Sequence, residues 1–401
     1  MQHKLHSRLT FLILLAMCLG VIAGTVFGPR IVAIGFLGAT FIQIIKVVAV
    51  PLVFVSILDA VVATDLSWKT ARRWVCVIAI NTSCALAIGL TLSNILEPGR
   101  AFTAFEPNNE SVAGGYHHEI SFESFVGSII PESIVEPFVN NNILGVVLLA
   151  LLLGAATRSY LSRKASNDMR GVICQTTEVA NGILTRLILW LVMLVPIAVF
   201  CVTAKTVGQH GFSPFRGLFQ YVGVVMLGFV IHVSVVYSMW ILRVAEIPLR
   251  KFLNVAHKPV VYAFGTNSSL ATLPVTLSAL DSLGIKKAAS RLGACVGTNF
   301  NNDGILLYEA AAVLFVAQAC GIELSLSEQL TAAFISLTAA IGVAGIPEAG
   351  VVSLSLVLTA VGLPVEIIPL LLTVDWFVAR LRSVVNVLSD MTVSIAVSRF
   401  L

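Results

Sequence analysis

Apolar stretches of about twenty residues recur along this chain and leave few folds open to it. A helix needs about 20 mostly apolar residues to cross the hydrocarbon core of a bilayer. Full spans can be placed near residues 9–28, 32–62, 73–96, 139–158, 171–204 and 218–243. Beyond residue 250, Gly, Pro, Asn and Ser interrupt the apolar runs in mid-stretch. Broken segments lie near 254–283 and 328–362, with further spans near 288–318 and 364–398. Charge is too scarce for a soluble alternative: Lys, Arg, Asp and Glu make up 11% of the 401 residues, against about 25% in an average soluble domain. So few charges cannot coat a globule of this size. Soluble enzymes, nucleic-acid binders and disordered regulators are excluded, and the lipid bilayer is the expected surrounding.

The first apolar run, Leu9 to Phe27, follows a basic stretch as a signal peptide would. It lacks a clear cleavage site and many spans follow, so it reads as the first membrane helix. The seven cysteines stand singly, without a CxxC or a Cys/His cluster. They read as buried reduced thiols rather than metal ligands or a disulfide framework.

Basic residues mark the cytoplasmic side of a membrane protein. With the N-terminus inside, and each broken segment entering and leaving on one face, only Arg30, Arg100, Lys205 and Arg216 fall outside. Lys46, Arg186, Arg380 and Arg382 lie within spans, and every other Lys and Arg falls inside. The expected fold is all-α: eight transmembrane helices plus two re-entrant hairpins, with both termini cytoplasmic. The acidic loop from Glu97 to Glu136 is then external. Its Asn109-Glu110-Ser111 triplet reads as chance, and its His117-His118 pair as solvated.

An ionisable group inside a membrane is costly and marks a functional site by default. On the last span, at 100° per residue, Asp375, Arg382, Asn386 and Asp390 fall within about 80° of arc, with Ser383 at the edge. This stripe faces either a polar cavity or a partner helix in a buried ion-pair network. In the span from 288 to 318, Gly297-Thr-Asn-Phe-Asn-Asn-Asp303-Gly304 is poor helix. Irregular backbone at membrane depth survives only where it is buried in protein or lines a cavity. Unwound carbonyls with a carboxylate suit a desolvated small cation. Glu309 stands in apolar surroundings, either to load and release a proton or to be ion-paired.

The broken segments carry Asn267-Ser-Ser-Leu-Ala-Thr-Leu-Pro274 and Gly342-Val-Ala-Gly-Ile-Pro-Glu-Ala-Gly350. Tips of paired half-helices expose free N–H groups and positive dipole ends that suit a carboxylate. Two interrupted segments of this kind point to a transporter binding site, and ordinary Gly/Pro kinks are the alternative. Glu178 and Arg186 read as structural, Lys46 as snorkelling or paired, and His232 as a lone membrane histidine. No HExxH, GxSxG or Walker sequence is present, and nothing pairs a nucleophile with a base, so no enzyme is expected.

These residues resemble the dicarboxylate/amino acid:cation symporters, the family that includes the glutamate transporters. Ser268-Ser269 with Thr272-Leu273-Pro274 is similar to the serine-rich tip of the first hairpin. Asn301-Asn302-Asp303-Gly304 is similar to the family's Asn-Met-Asp-Gly. Ala344-Gly-Ile-Pro347 with Ala349-Gly350 is similar to the second tip. Val374 to Arg382, through Asn386 and Asp390, is similar to the eighth helix. The match is strong over roughly the last 150 residues, and span order follows it throughout.

The resemblance implies a homotrimer in the inner (cytoplasmic) membrane that works by an elevator motion. A scaffold of residues 1–72 and 139–216 would hold the trimer. A transport domain of the third span, 73–96, and residues 217–401 would move, with 97–138 as the external loop. Arg382 would bind a substrate side-chain carboxylate. Ser268, Ser269, Ser383 and Asn386 would hold the main carboxylate and its surroundings, under a tip that includes Ile346, Pro347 and Gly350. Gly297, Asn301, Asn386 and Asp390 match one sodium site, and Thr82, Ser83, Asn301 and Asp303 another. Glu309 matches the proton-carrying glutamate of the animal and some bacterial members.

The departures narrow the substrate. Ala379 stands where the family's amino-acid transporters place the aspartate that pairs with the substrate's ammonium. An unpaired ammonium in a closed site is costly. Ala379 therefore argues against an amine while Arg382 argues for an acid, and a C4-dicarboxylate such as succinate, fumarate or malate fits both. Ile305 replaces a threonine that helps bind the side-chain carboxylate. Asn302 replaces the family methionine, Ala79 a tyrosine of the deeper sodium site, and Leu270 the third hairpin serine. Glu348 adds a titratable group at the second tip. The expectation is a secondary active symporter for an organic dianion, coupled to Na+ and/or H+, with no other cofactor. An aspartate/glutamate symporter is the alternative within the class, and a non-transporting sensor or anion channel is the alternative from another.

Overall fold

The computed structural model describes residues 2–63, 68–102, 130–140, 142–164, 167–211, 213–342 and 349–400. Every regular element among them is helical. Most of the external loop, with Asn109–Ser111 and the His117-His118 pair, lies outside the described residues, as do Ile346, Pro347 and Glu348. The Lys46 side chain lies outside them too.

Helices α1 (Gln2–Phe27), α2 (Phe36–Ala63) and α3 (Trp68–Leu96) come first. Then follow α4 (Ile143–Lys164), α5 (Asn167–Val192), α6 (Val195–His210) and α7, which runs from Ser213 to Ile231 and on through π-helical turns at His232–Tyr237 and Trp240–Val244. The first hairpin is α8 (Leu249–Thr266) and α9 (Ser269–Ser282). Helix α10 covers Lys287–Ser290, a π turn at Arg291–Val296 and Gly297–Phe300, and is followed by α11 (Asp303–Ala319). The second hairpin is α12 (Leu326–Gly342) and α13 (Ala349–Ala360). Helix α14 (Ile368–Phe400) closes the chain.

By length and composition, three stretches of the described residues suffice to cross a membrane: Phe11–Gly35, Arg72–Leu96 and Phe215–Val244. The remaining apolar stretches found among the described residues are shorter. The span placed at 171–204 is two helices, parted by a turn at 193–194. Pro196 sits at the start of α6, where its missing N–H is harmless at a helix start and would break a helix interior. The hairpin arms Leu326–Ile341 and Gly350–Ala360 are also short.

Helix α1 lies against α6, and α2 against α4 and α5. Gly20 and Gly24 make the first pairing possible. A Cβ at Gly20 would stand 2.8 Å from the Phe200 carbonyl oxygen, and one at Gly24 would stand 2.7 Å from Val207 Cβ. Small residues four apart let membrane helices approach at backbone distance. At the centre stands α11, almost every residue of it buried, as a helix apolar all round must be. It packs against α3, α7, α12, α13 and α14. The outward faces of α1, α5 and α7 carry exposed Phe11, Ile22, Val172, Val179, Phe219 and Val230. In water such surfaces would aggregate, and against lipid tails they are the expected coat. The cysteines are all free; Cys201 is buried, whereas Cys18 on α1 and Cys76 on α3 are exposed.

Candidate functional site

The first hairpin reverses at two residues. Asn267 ends α8 in the left-handed region (φ 50°, ψ 39°), which asparagine tolerates better than most residues. Ser268 is extended and caps α9, its Oγ accepting from the Ala271 N–H at 3.2 Å. The tip is tied to α14: Ser383 Oγ donates to Asn267 Oδ1 at 3.0 Å. Arg380 donates to the last carbonyls of α8, those of Phe264 (2.8 Å) and Gly265 (3.2 Å). Ser269 is buried beneath the tip.

Arg382 is buried on α14, two turns from Asp375. Its two terminal nitrogens meet the two Asp375 oxygens at 3.2 and 3.4 Å. The guanidinium also lies over the Tyr308 ring, 4.3 Å from its centroid. Gly350, in the first turn of α13, closes the other side. A Cβ there would crowd the guanidinium, so any residue larger than glycine requires Arg382 to give way. The buried Ala379 falls on the same arc of α14 as Arg382 and Asn386, so the face that holds an arginine has no carboxylate there.

The helix break between α10 and α11 is shorter than expected. Only Asn301 and Asn302 leave helical geometry, and Gly297–Phe300 stays helical. The freed groups are taken up by side chains. The Gly304 N–H donates to Asn386 Oδ1 (2.8 Å), and Asn302 Nδ2 donates to the Ala340 carbonyl of α12 (3.3 Å). Asp390 accepts from Thr298 Oγ1 (2.8 Å) and Asn301 Nδ2 (3.4 Å). Asn301 Oδ1 is buried with no hydrogen-bond partner. A carboxylate, a hydroxyl and an amide oxygen without a partner are the donor set of a hard cation. Asn301 and Asp390 are in contact, with Gly297 against Asp390. Thr298 joins them; it was hidden by its place in an ordinary Gly-Thr-Asn run.

Asp303 draws in a second set. It accepts from Thr82 Oγ1 (3.3 Å), Tyr237 Oη (3.0 Å) and Ser389 Oγ (2.5 Å), and faces His232 Nε2 at 3.3 Å. His232 is thus no lone histidine: it and Asp303 are both fully buried and adjacent. The π turn explains how His232 and Tyr237 reach one carboxylate. Five residues on, an α-helix has turned about 140° away; the wider π turn, a feature frequent at functional sites, brings both to the same side. Ser83 is exposed, so of the expected Thr82–Ser83 pair only the Thr82 side chain meets Asp303. Glu178 and Arg186 are likewise exposed, on α5.

The sequence model of the sodium:dicarboxylate symporter family matches residues 9–400. The chain belongs to that family. Three curated relatives are each called a C4-dicarboxylate transport protein. The one from Bordetella avium is 30% identical over 409 residues, covering 100% of this chain and 90% of that one. The one from Solibacter usitatus is 29% identical, over 99% and 93%, and the one from Burkholderia pseudomallei 29%, over 99% and 93%. This symporter-family member is a membrane transporter and not an enzyme. Among the described residues no three His, Cys, Asp or Glu gather as a metal cluster. Within the symporter-family chain, Glu309 of α11 is fully buried, with the hydroxyls of Ser336 and Ser353 against its carboxyl.

Proposed function

We propose that this chain is a secondary active symporter that carries a C4-dicarboxylate such as succinate, fumarate or malate, coupled to Na+ and/or H+. One observation carries the substrate class: a buried guanidinium fork at Arg382 shares its helix face with the methyl of Ala379. The fork matches a carboxylate in two contacts, and no acid at position 379 waits for an ammonium. The names of the curated relatives point the same way. On this reading one substrate carboxylate shares Arg382 with Asp375. The other lies between the Ser268-Ser269 tip and Gly350 of the second hairpin, near Ser383 and Asn386. Asp390, Asn301, Thr298, Gly297 and Asn386 take one Na+, and Asp303 with Thr82 and Asn301 takes a second; the exposed Ser83 is left out of it. Glu309 carries the proton.

The architecture we propose has eight spans and two hairpins, with both termini in the cytoplasm and the chain in the inner membrane. α1, α2 and α4–α6 form the scaffold of a homotrimer, and α3 and α7–α14 form a transport unit that moves as an elevator. The packing of α1 on α6 and of α2 on α4 and α5 supports the first group; the burial of α11 among α3, α7 and α12–α14 supports the second.

Uptake of radiolabelled succinate and, in parallel, L-aspartate into proteoliposomes under imposed Na+ or H+ gradients tests the reading. Gradient-driven succinate uptake is expected. Aspartate uptake in its place would overturn the argument from Ala379 and send the search for the ammonium partner to Asp375 or Glu348. Gradient-independent flux would leave a channel.

A further inference from the structure

Side-chain amides tie both ends of the connection between α11 and α12 to the C-terminal end of α3. Gln318, in the last turn of α11, donates to the Ser93 carbonyl (2.9 Å) and accepts from the Gly99 N–H (3.0 Å). Gln329, in the first turn of α12, forms a reciprocal pair with Asn94. Asn94 Nδ2 donates to Gln329 Oε1 (2.8 Å), and Gln329 Nε2 donates to Asn94 Oδ1 (3.3 Å). Each amide also reaches a carbonyl of its own segment, Leu90 for Asn94 and Leu324 for Gln329, both at 2.9 Å. All four amide N–H groups and both amide oxygens are thus used. Gln329 is buried and Asn94 exposed. The start of α12 is fixed within itself as well. The Ser325 N–H donates to Glu328 Oε2 (2.7 Å) and the Glu328 N–H to Ser325 Oγ (3.3 Å), a capping box.

Helix α12 packs on α11, α13, α2 and α4. Packing of helices alone leaves a scatter of about 15–20° in the crossing angle. The inner end of α12 is at Ala340, eleven residues beyond Gln329, or about 16 Å along the axis. Over that length a tilt of about 15° moves the end by about 4 Å. A movement of that size decides whether two groups touch. Two hydrogen-bonded points remove the freedom: the amide pair holds the start of α12, and Asn302 Nδ2 holds the Ala340 carbonyl at 3.3 Å. Helix α13 lies on α12, and its Gly350 meets the Arg382 guanidinium. The placement of α12 therefore carries through to Arg382.

We propose that Asn94 and Gln329 are positioning residues for substrate binding: their amide pair sets where α12 lies, and α12 sets how α13 meets Arg382. Neither residue touches the substrate. The inference rests on the reading of Arg382 as the partner of a substrate carboxylate, and it extends the determinants of affinity to the far end of α3.

The test is radiolabelled succinate uptake by the full-length protein in proteoliposomes, with half-saturation and maximal rate measured separately beside a melting curve. Gln329→Leu and Asn94→Leu should each raise the half-saturation by roughly 5- to 150-fold, the range that two neutral hydrogen bonds span, and leave the maximal rate within twofold. The exposed Asn94 carries the test should a leucine at the buried Gln329 prevent folding. The double leucine variant should be no worse than either single one, because a pair is broken only once. The exchange Asn94→Gln/Gln329→Asn keeps both amides and their summed length, and should restore the half-saturation. A half-saturation within twofold of the parent alongside a lowered melting temperature overturns the proposal, since the pair then serves the fold alone. A fall in maximal rate without a change in half-saturation, or an exchange variant that restores nothing, overturns it too. Arg382→Lys is assayed beside them. If it weakens succinate uptake while the leucine variants do not, the reading of Arg382 stands and the positioning role falls. If it leaves the half-saturation unchanged, both fall.

Discussion

Arg382→Lys keeps the charge and removes the fork, and its effect can be worked from the geometry. The guanidinium makes two contacts with Asp375, at 3.2 and 3.4 Å, and stacks on Tyr308 at 4.3 Å. A lysine ammonium is a compact point charge. It can satisfy Asp375 through one contact, so the buried carboxylate keeps a partner and the fold survives. It cannot serve Asp375 and a substrate carboxylate with parallel pairs. One hydrogen bond to a charged group is worth about 1.5–3 kcal/mol, and weakened stacking about 0.5–1 kcal/mol more. The sum, about 2–4 kcal/mol, corresponds to a fall in succinate affinity of roughly 30- to 1,000-fold. The assay is the concentration dependence of succinate uptake in proteoliposomes, beside a melting curve of the same preparation. Arg382→Ala serves as contrast: it strands Asp375 as a buried unpaired charge and should cost stability by about 3–5 kcal/mol as well. A lysine variant whose half-saturation for succinate lies within threefold of the parent would refute the idea that the fork reads the dianion.

Four further outcomes follow from the same geometry. Ala379→Asp places a carboxylate one helical turn from Arg382. At about 5.5 Å and an effective dielectric of about 20 the interaction is about 3 kcal/mol, so succinate affinity should fall about 100-fold while L-aspartate gains as a competitor; an unchanged preference in competition uptake sinks the amine argument. Glu309→Gln should flatten the dependence of uptake on pH between 5.5 and 8, and a retained profile assigns the proton elsewhere. Gly350→Ala crowds a methyl against the Arg382 guanidinium; overpacking of this kind costs about 1–3 kcal/mol, read as about 5- to 150-fold weaker succinate binding, and normal affinity would show that the hairpin does not rest on Arg382. His232→Leu removes one of the four groups on Asp303, and should lower stability by about 1–3 kcal/mol in a denaturation series; no change would make the contact incidental.

The polar stripe of α14 was legible because its period is a property of any helix, and burial of Asp375, Arg382, Asn386 and Asp390 needs nothing more than the apolar residues around them. The Asn267-Ser268 reversal was legible for a similar reason: a residue that tolerates left-handed backbone stands before a good N-cap. Pro196 was the readable sign that the fifth span is divided, but it sits amid Val, Leu and Ile, and hydropathy outweighed it. The partnership of His232 with Asp303 was not legible. The two lie 71 residues apart, and the π turn that aims the imidazole alters the periodicity from which a helix face is read. Ser336 and Ser353 look like ordinary serines in apolar helices; only the packing of both hairpin arms on α11 turns them toward Glu309.

The pairing of Asp375 with Arg382 has an electrical side. Fork and carboxylate cancel, so the anion-binding end of α14 is neutral as it stands. A potential of 100 mV is worth about 2.3 kcal/mol on an elementary charge that crosses the membrane, and it finds no handle on a neutral pair. Voltage sensitivity must then enter through Asp303, Asp390 and Glu309. With a dianion as cargo, the current under voltage clamp reads out directly how many cations travel with it: none for two, and one inward charge per molecule for three.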